Sequence, residues 1–153
     1  PRVQPALAGG TLNVKSADAL RSELRFVRRP AGAVVSRVAM TGAGQVVPDE
    51  RVLAEPGAVE VRGALHPWLR AWVLVFDHPY YAATSADGAF ALDSVPPGSY
   101  TLHVWHERLG VSSQPVTVAA GQATTVTVRL GAGASAADPT PPNSTPPADP
   151  ASR

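Results

Sequence analysis

The sequence predicts an all-β protein built as a β-sandwich. Three observations carry this. Apolar and polar residues alternate strictly over short runs, the period of a strand with one face buried. Turn signals recur between these runs, supplied by 16 prolines and 13 glycines among 153 residues. No segment sustains helical spacing, and many short strands separated by turns indicate a sandwich or small barrel.

The runs follow in chain order. "TLNVKS" places Leu12 and Val14 on one face and Thr11, Asn13 and Lys15 on the other. "SADALRSELRF" offers a short helical turn capped by Ser16 or Asp18, although its apolar spacing (Leu20, Leu24) is thin. "ELRFVRR" turns Leu24 and Phe26 inward and Glu23 and Arg25 outward. "AVEVRG" turns Val59 and Val61 inward and Glu60 and Arg62 outward. "AWVLVF" (Ala71–Phe76) is apolar on both faces, which predicts a central strand. "SYTLHVWH" sets Tyr100, Leu102 and Val104 on one face and Thr101, His103 and Trp105 on the other. "TTVTVRL" turns Val126, Val128 and Leu130 inward, and a last strand is expected over 123–130. The expected core joins Tyr100, Leu102, Val104, Val126 and Val128, with Ala71–Phe76 central.

Bulk properties narrow the function. A formal net charge of +1 gives no sign of the concentrated basic face a nucleic-acid binder uses, so no nucleic-acid partner is expected. The bias of arginine over lysine, with abundant Ala, Gly and Pro, reads as the codon preference of a GC-rich genome. Cysteine is absent, which removes disulfides, thiolate metal sites and thiol catalysis. No apolar run approaches the roughly 20 residues of a membrane helix. "ALAGG" (Ala6–Gly10) resembles a small-residue cleavage site without an apolar core before it. The expectation is a mature periplasmic or extracellular bacterial chain whose signal peptide has been removed, the alternative being an arbitrary boundary.

From Gly131 onward no large apolar side chain occurs. Such a segment cannot bury enough surface to offset its ordering entropy, so 131–153 is expected to be disordered, with polyproline character. The expectation for it is a spacer toward a further segment or a strap that orders on a partner, the alternative being a free terminus. "NST" at Asn143 matches a glycosylation sequon, a pattern frequent by chance.

"ATSADGAFALDSVPPGSYTLHVWHERLG", followed by "QPVTVAAGQATTVTVRL", resembles the carboxypeptidase regulatory-like (transthyretin-like) β-sandwich family. Asp87-Gly88 stands where that family makes a tight turn, and Pro96-Pro97-Gly98 where it breaks the chain before a strand opened by Tyr100. The resemblance implies a structural or binding appendage and carries little chemistry.

The preceding stretch resembles bacterial cupredoxin-like proteins of the plastocyanin-like or methylamine-utilisation type. Their C-x-x-H-P-W-M junction corresponds here to Gly63-Ala64-Leu65-His66-Pro67-Trp68-Leu69, followed by a strand and then Asp77-His78-Pro79-Tyr80. "GGTLNVKSADALRSELRF" resembles the strand pair carrying their first histidine ligand, which would fall at Ser22. The resemblance therefore implies that three of four copper ligands are lost, at Ser22, Gly63 and Leu69, with His66 remaining. Blue copper requires a thiolate, so no cofactor is expected. The implied organisation is cupredoxin-like strands over 1–62, a carboxypeptidase regulatory-like segment over 63–130 and the Pro/Ala-rich tail over 131–153.

Candidate sites are few. His66, His78, His103 and His106, beside Asp77 and Glu107, offer imidazole and carboxylate donors for zinc or copper(II), but no pair has strong ligand spacing. Hydrogen-bonded loop caps are the alternative for each. Trp68, Tyr80, Tyr81 and Trp105 are candidates for a binding surface, toward protein or toward sugar rings; the alternative is a second packed layer around Trp72 and Trp105. No nucleophile elbow, phosphate loop or paired carboxylate supports catalysis, so no enzyme is expected. The expected function is a non-enzymatic structural or protein-binding accessory subunit of an envelope or extracellular assembly, self-assembling or bound to a protein partner. A carbohydrate-binding module is the alternative, and residual copper or zinc binding a third.

Overall fold

The computed structural model describes residues 2–131. The expectations for 132–153, including the sequon at Asn143, lie outside the described residues. Among the described residues there is no helix, and nine strands form three sheets. The all-β class expected from the alternation is what the chain adopts. No helix is long and apolar enough to cross a membrane.

The chain divides into two compact units after Leu92. Unit 1 holds β1 (Val3–Leu7), β2 (Leu12–Lys15), β3 (Ser22–Arg28), β4 (Ala33–Met40), β5 (Val46–Asp49), β6 (Gly57–Gly63) and β7 (Arg70–Phe76). Five of them make one sheet in the order β1-β7-β6-β3-β4, in which β1 runs parallel to β7 and the other pairs are antiparallel. β2 and β5 form a second, two-stranded antiparallel sheet. Phe26, Val38, Val59, Val61, Val73 and Val75 project from one face of the large sheet into the core. Leu12, Val14 and Val47 from the small sheet pack against them, and Val52 and Leu53 from the loop after β5 complete it. The expected 62/63 junction falls within β6, whose antiparallel pairing with β7 joins Arg62 to Arg70 across it.

β7 is the central strand the sequence indicated. It lies between β1 and β6, with Val73, Leu74 and Val75 all buried. The segment 17–20 holds no helical turn and leads as loop into β3. β4 carries a sparser apolar pattern, with Ser36 buried on the same face as Val38 and Met40, so its sequence shows no clean alternation.

The described residues of unit 2 contain one antiparallel hairpin, β8 (Gly98–His106) with β9 (Gly110–Val118). Here the core expectation is corrected. Tyr100, Leu102, Val104, Val126 and Val128 are half-buried, and none reaches the burial of the unit 1 core. Their alternation survives, but 123–130 forms no strand. A two-stranded ribbon has too little apolar surface to enclose a core by itself. The Asp87-Gly88 turn, which falls within unit 1, is present: Gly88 takes φ 84°, and Ser85 accepts the Gly88 N–H and donates its own to Ala89.

Candidate functional site

The β6–β7 connection brings together Gly63, His66 and Leu69, three of the four positions the cupredoxin resemblance singled out, and ties them to the neighbours of the fourth, Ser22. Gly63 donates its N–H to the Leu69 carbonyl at 3.0 Å, and Leu69 donates to the His66 carbonyl at 2.9 Å. Ala64 donates to the Glu23 carbonyl, tying the loop to the start of β3 beside Ser22. His66 Nε2 lies 3.3 Å from the Arg21 carbonyl, while its Nδ1 is buried with no hydrogen-bond partner among the described residues. A Cβ on Gly63 would stand 2.3 Å from the His66 carbonyl oxygen and 3.0 Å from Leu69 Cβ. Backbone thus fills the space a cysteine side chain would need. Among the described residues no group of three His, Cys, Asp or Glu side chains could hold a metal ion.

The other histidines are engaged locally. His78 Nδ1 accepts the Tyr80 N–H at 3.2 Å, and its ring lies 5.7 Å from Phe76. His103, on β8, meets the Ser113 hydroxyl of β9 at 2.7 Å, and burial lowers its pKa. His106 Nδ1 accepts N–H groups from Arg108 and Leu109, which shapes the β8–β9 turn.

The aromatic candidates differ sharply in exposure. Trp68 is 79% exposed and Tyr80 37%, whereas Tyr81 is half-buried, stacked on Phe76 at 4.7 Å. Trp105 is half-buried on β8. Trp68 lies 5.0 Å from the His66 ring, in a loop pinned by the backbone bonds above. Of the four aromatics, Trp68 is therefore the most exposed, and it stands on a loop held by backbone bonds.

The face of the large sheet opposite the core carries charge that the sequence reading did not assemble. Arg37 pairs with Arg25, Arg25 with Arg62, and Arg62 with Arg70, so four arginines line up across β4, β3, β6 and β7. Two residues back along β6, on the same face, Glu60 is buried and accepts hydrogen bonds from Arg29 and Arg62, with Arg70 at 3.9 Å. Burial pushes the Glu60 carboxyl up, but the bonds and charges of Arg62 and Arg29 outweigh it and hold the group below its ordinary range. Asp49 behaves likewise. Burial raises it, yet the Ser36 hydroxyl, the Val52 and Arg51 N–H groups and the Arg51 charge bring it down. Alternation had placed Arg25, Glu60 and Arg62 outward. Strand order and register, which no single run reveals, made them neighbours.

A family model described as the carboxypeptidase regulatory-like domain matches residues 26–131, beginning well before the expected start at 63. No curated protein matches the chain. Solved structures with similarity to the chain include an oxidised point mutant of amicyanin, with 20% identity, a TM-score of 0.40 and coverage of 48% of this chain and 69% of that one. The Cu(I) form of another amicyanin mutant shows the same identity, score and coverage.

Proposed function

Because the chain belongs to the carboxypeptidase regulatory-like domain family, we propose that it is a non-enzymatic binding or structural subunit, exported and working as an accessory of an envelope or extracellular assembly. The observation that carries this reading is Trp68. A tryptophan 79% exposed, on a loop whose backbone is already fixed, loses little freedom when it is buried against a partner. The buried carboxylates support the non-enzymatic part. Asp49 and Glu60 are held below their ordinary range and accept hydrogen bonds at both carboxylate oxygens, which suits a structural anchor.

Sedimentation of the full chain over a concentration series tests the reading. Self-association is expected, and Trp68→Ala should weaken it by about 2 kcal/mol, the scale of an aromatic anchor. A chain that stays monomeric throughout, or a variant that associates as tightly, would count against it. The same exposed indole favours a second reading, carbohydrate binding by stacking on a sugar ring.

A further inference from the structure

The arginine row Arg37–Arg25–Arg62–Arg70 is an unfavourable way to build a sheet. Like charges directly opposite one another repel, and here three successive cross-strand pairs do so. Compensation is partial. Glu23 lies 3.7 Å from Arg25, and Glu60 serves Arg62 and Arg70 while also holding Arg29. Arg37 has no carboxylate partner among the described residues. The side chains of Arg25, Arg62 and Arg70 remain 48%, 44% and 65% exposed.

We propose that this face binds an acidic polysaccharide, a uronate polymer whose carboxylates dock along the arginine row and one of whose pyranose rings stacks on Trp68. The inference rests on the second, carbohydrate-binding reading and supplies its ligand class. Neighbouring strands lie about 4.8 Å apart, so the row presents a guanidinium at each strand over about 14 Å. A uronate chain presents one carboxylate per pyranose ring, a comparable advance. The guanidinium fork matches a carboxylate with two parallel hydrogen bonds. Trp68 sits in the loop joining the strand of Arg62 to that of Arg70, so it flanks the Arg62–Arg70 pair just beyond the strand ends. A single-stranded nucleic acid needs successive aromatic platforms. Among the described residues of unit 1, Trp68 is the one aromatic more than half exposed.

The test uses the full chain and fluorescein-labelled polygalacturonate, read by fluorescence polarisation. Competitors are unlabelled polygalacturonate, its neutral methyl ester and single-stranded DNA. The variants are Arg25→Gln with Arg37→Gln, the matching double lysine variant, and Trp68→Ala. Neither Arg25 nor Arg37 bonds to Glu60, and melting temperatures verify that each variant folds. Polygalacturonate should bind, with affinity falling as salt rises. The double glutamine variant should bind about tenfold or more weakly, the double lysine variant between the two, and Trp68→Ala should also lose affinity. The methyl ester should not compete.

Absence of binding, equal competition by the ester, or an unchanged double glutamine variant overturns the proposal. So does displacement by single-stranded DNA at lower concentration than by polygalacturonate, which would mark the face as a nucleic-acid surface. If polymer binding is absent while Trp68→Ala still weakens self-association, the polysaccharide inference fails and the subunit reading stands. If the polymer binds as expected and self-association is absent, the reverse holds.

Discussion

At Gly63 a hydrogen atom decides what the β6–β7 loop can hold. Its Cβ position is occupied by the His66 carbonyl at 2.3 Å, a group fixed by its bond to the Leu69 N–H. Gly63→Cys should therefore lower stability by about 1–3 kcal/mol, as overpacking does. It should also leave a copper-treated sample colourless, since a thiolate forced in there would displace the loop that positions His66. Denaturant melts and a visible absorption scan check both; an intense thiolate-to-copper band would refute the expectation. Glu60 makes a second residue-scale prediction. Its folded pKa lies below the ordinary 4.5, so the stability it contributes is complete above that value and is lost as pH falls through the depressed one. Glu60→Gln should cost about 2 kcal/mol near neutral pH through the lost charge-assisted bonds. It should also flatten the fall in stability below about pH 4.5. Urea midpoints measured between pH 7 and 3 for both chains would show this, and parallel curves would disprove it.

At the scale of elements, burial separates strands that look alike in sequence. Phe26 on β3 is 2% exposed inside the unit 1 core, so Phe26→Ala should cost about 3–5 kcal/mol. Leu102 on β8 shows the same alternation but is half-buried in a two-stranded ribbon. Leu102→Ala should cost clearly less than Phe26→Ala in the same urea series, and equal losses would mean that the hairpin is as well packed as the sandwich. The arginine row predicts the opposite sign. Arg37→Gln removes a cross-strand repulsion with Arg25 and breaks no ion pair among the described residues, so stability should rise by about 0.2–1 kcal/mol. A fall in the melting temperature would count against that account.

For the whole molecule, the division after Leu92 predicts unequal autonomy. Every residue of the buried cluster, from Leu24 to Val75, lies in unit 1. A chain ending at Leu92 should keep a cooperative thermal transition by circular dichroism. A fragment 93–153, whose described part holds a single hairpin, should show none by itself. A cooperative melt of that fragment would contradict the reading.

The sequence by itself determined the all-β class, the inward faces of β2, β3 and β6, the doubly buried β7 and the turn at Asp87-Gly88. Each is a local consequence of period-two alternation or of turn chemistry, and it also determined that no thiolate is present. Tertiary structure decided which apolar faces become core. Alternation marks a face for burial but does not say how many strands share it, so Leu24, Phe26 and Val59 are enclosed while Leu102 and Val126 are not. It also decided where charge accumulates. A net charge of +1 conceals a row of four arginines, because Arg25, Arg37, Arg62 and Arg70 are scattered along the chain and meet only through the order β7-β6-β3-β4 and its register. Register arises from cooperative pairing across the sheet, and no local run of residues contains it.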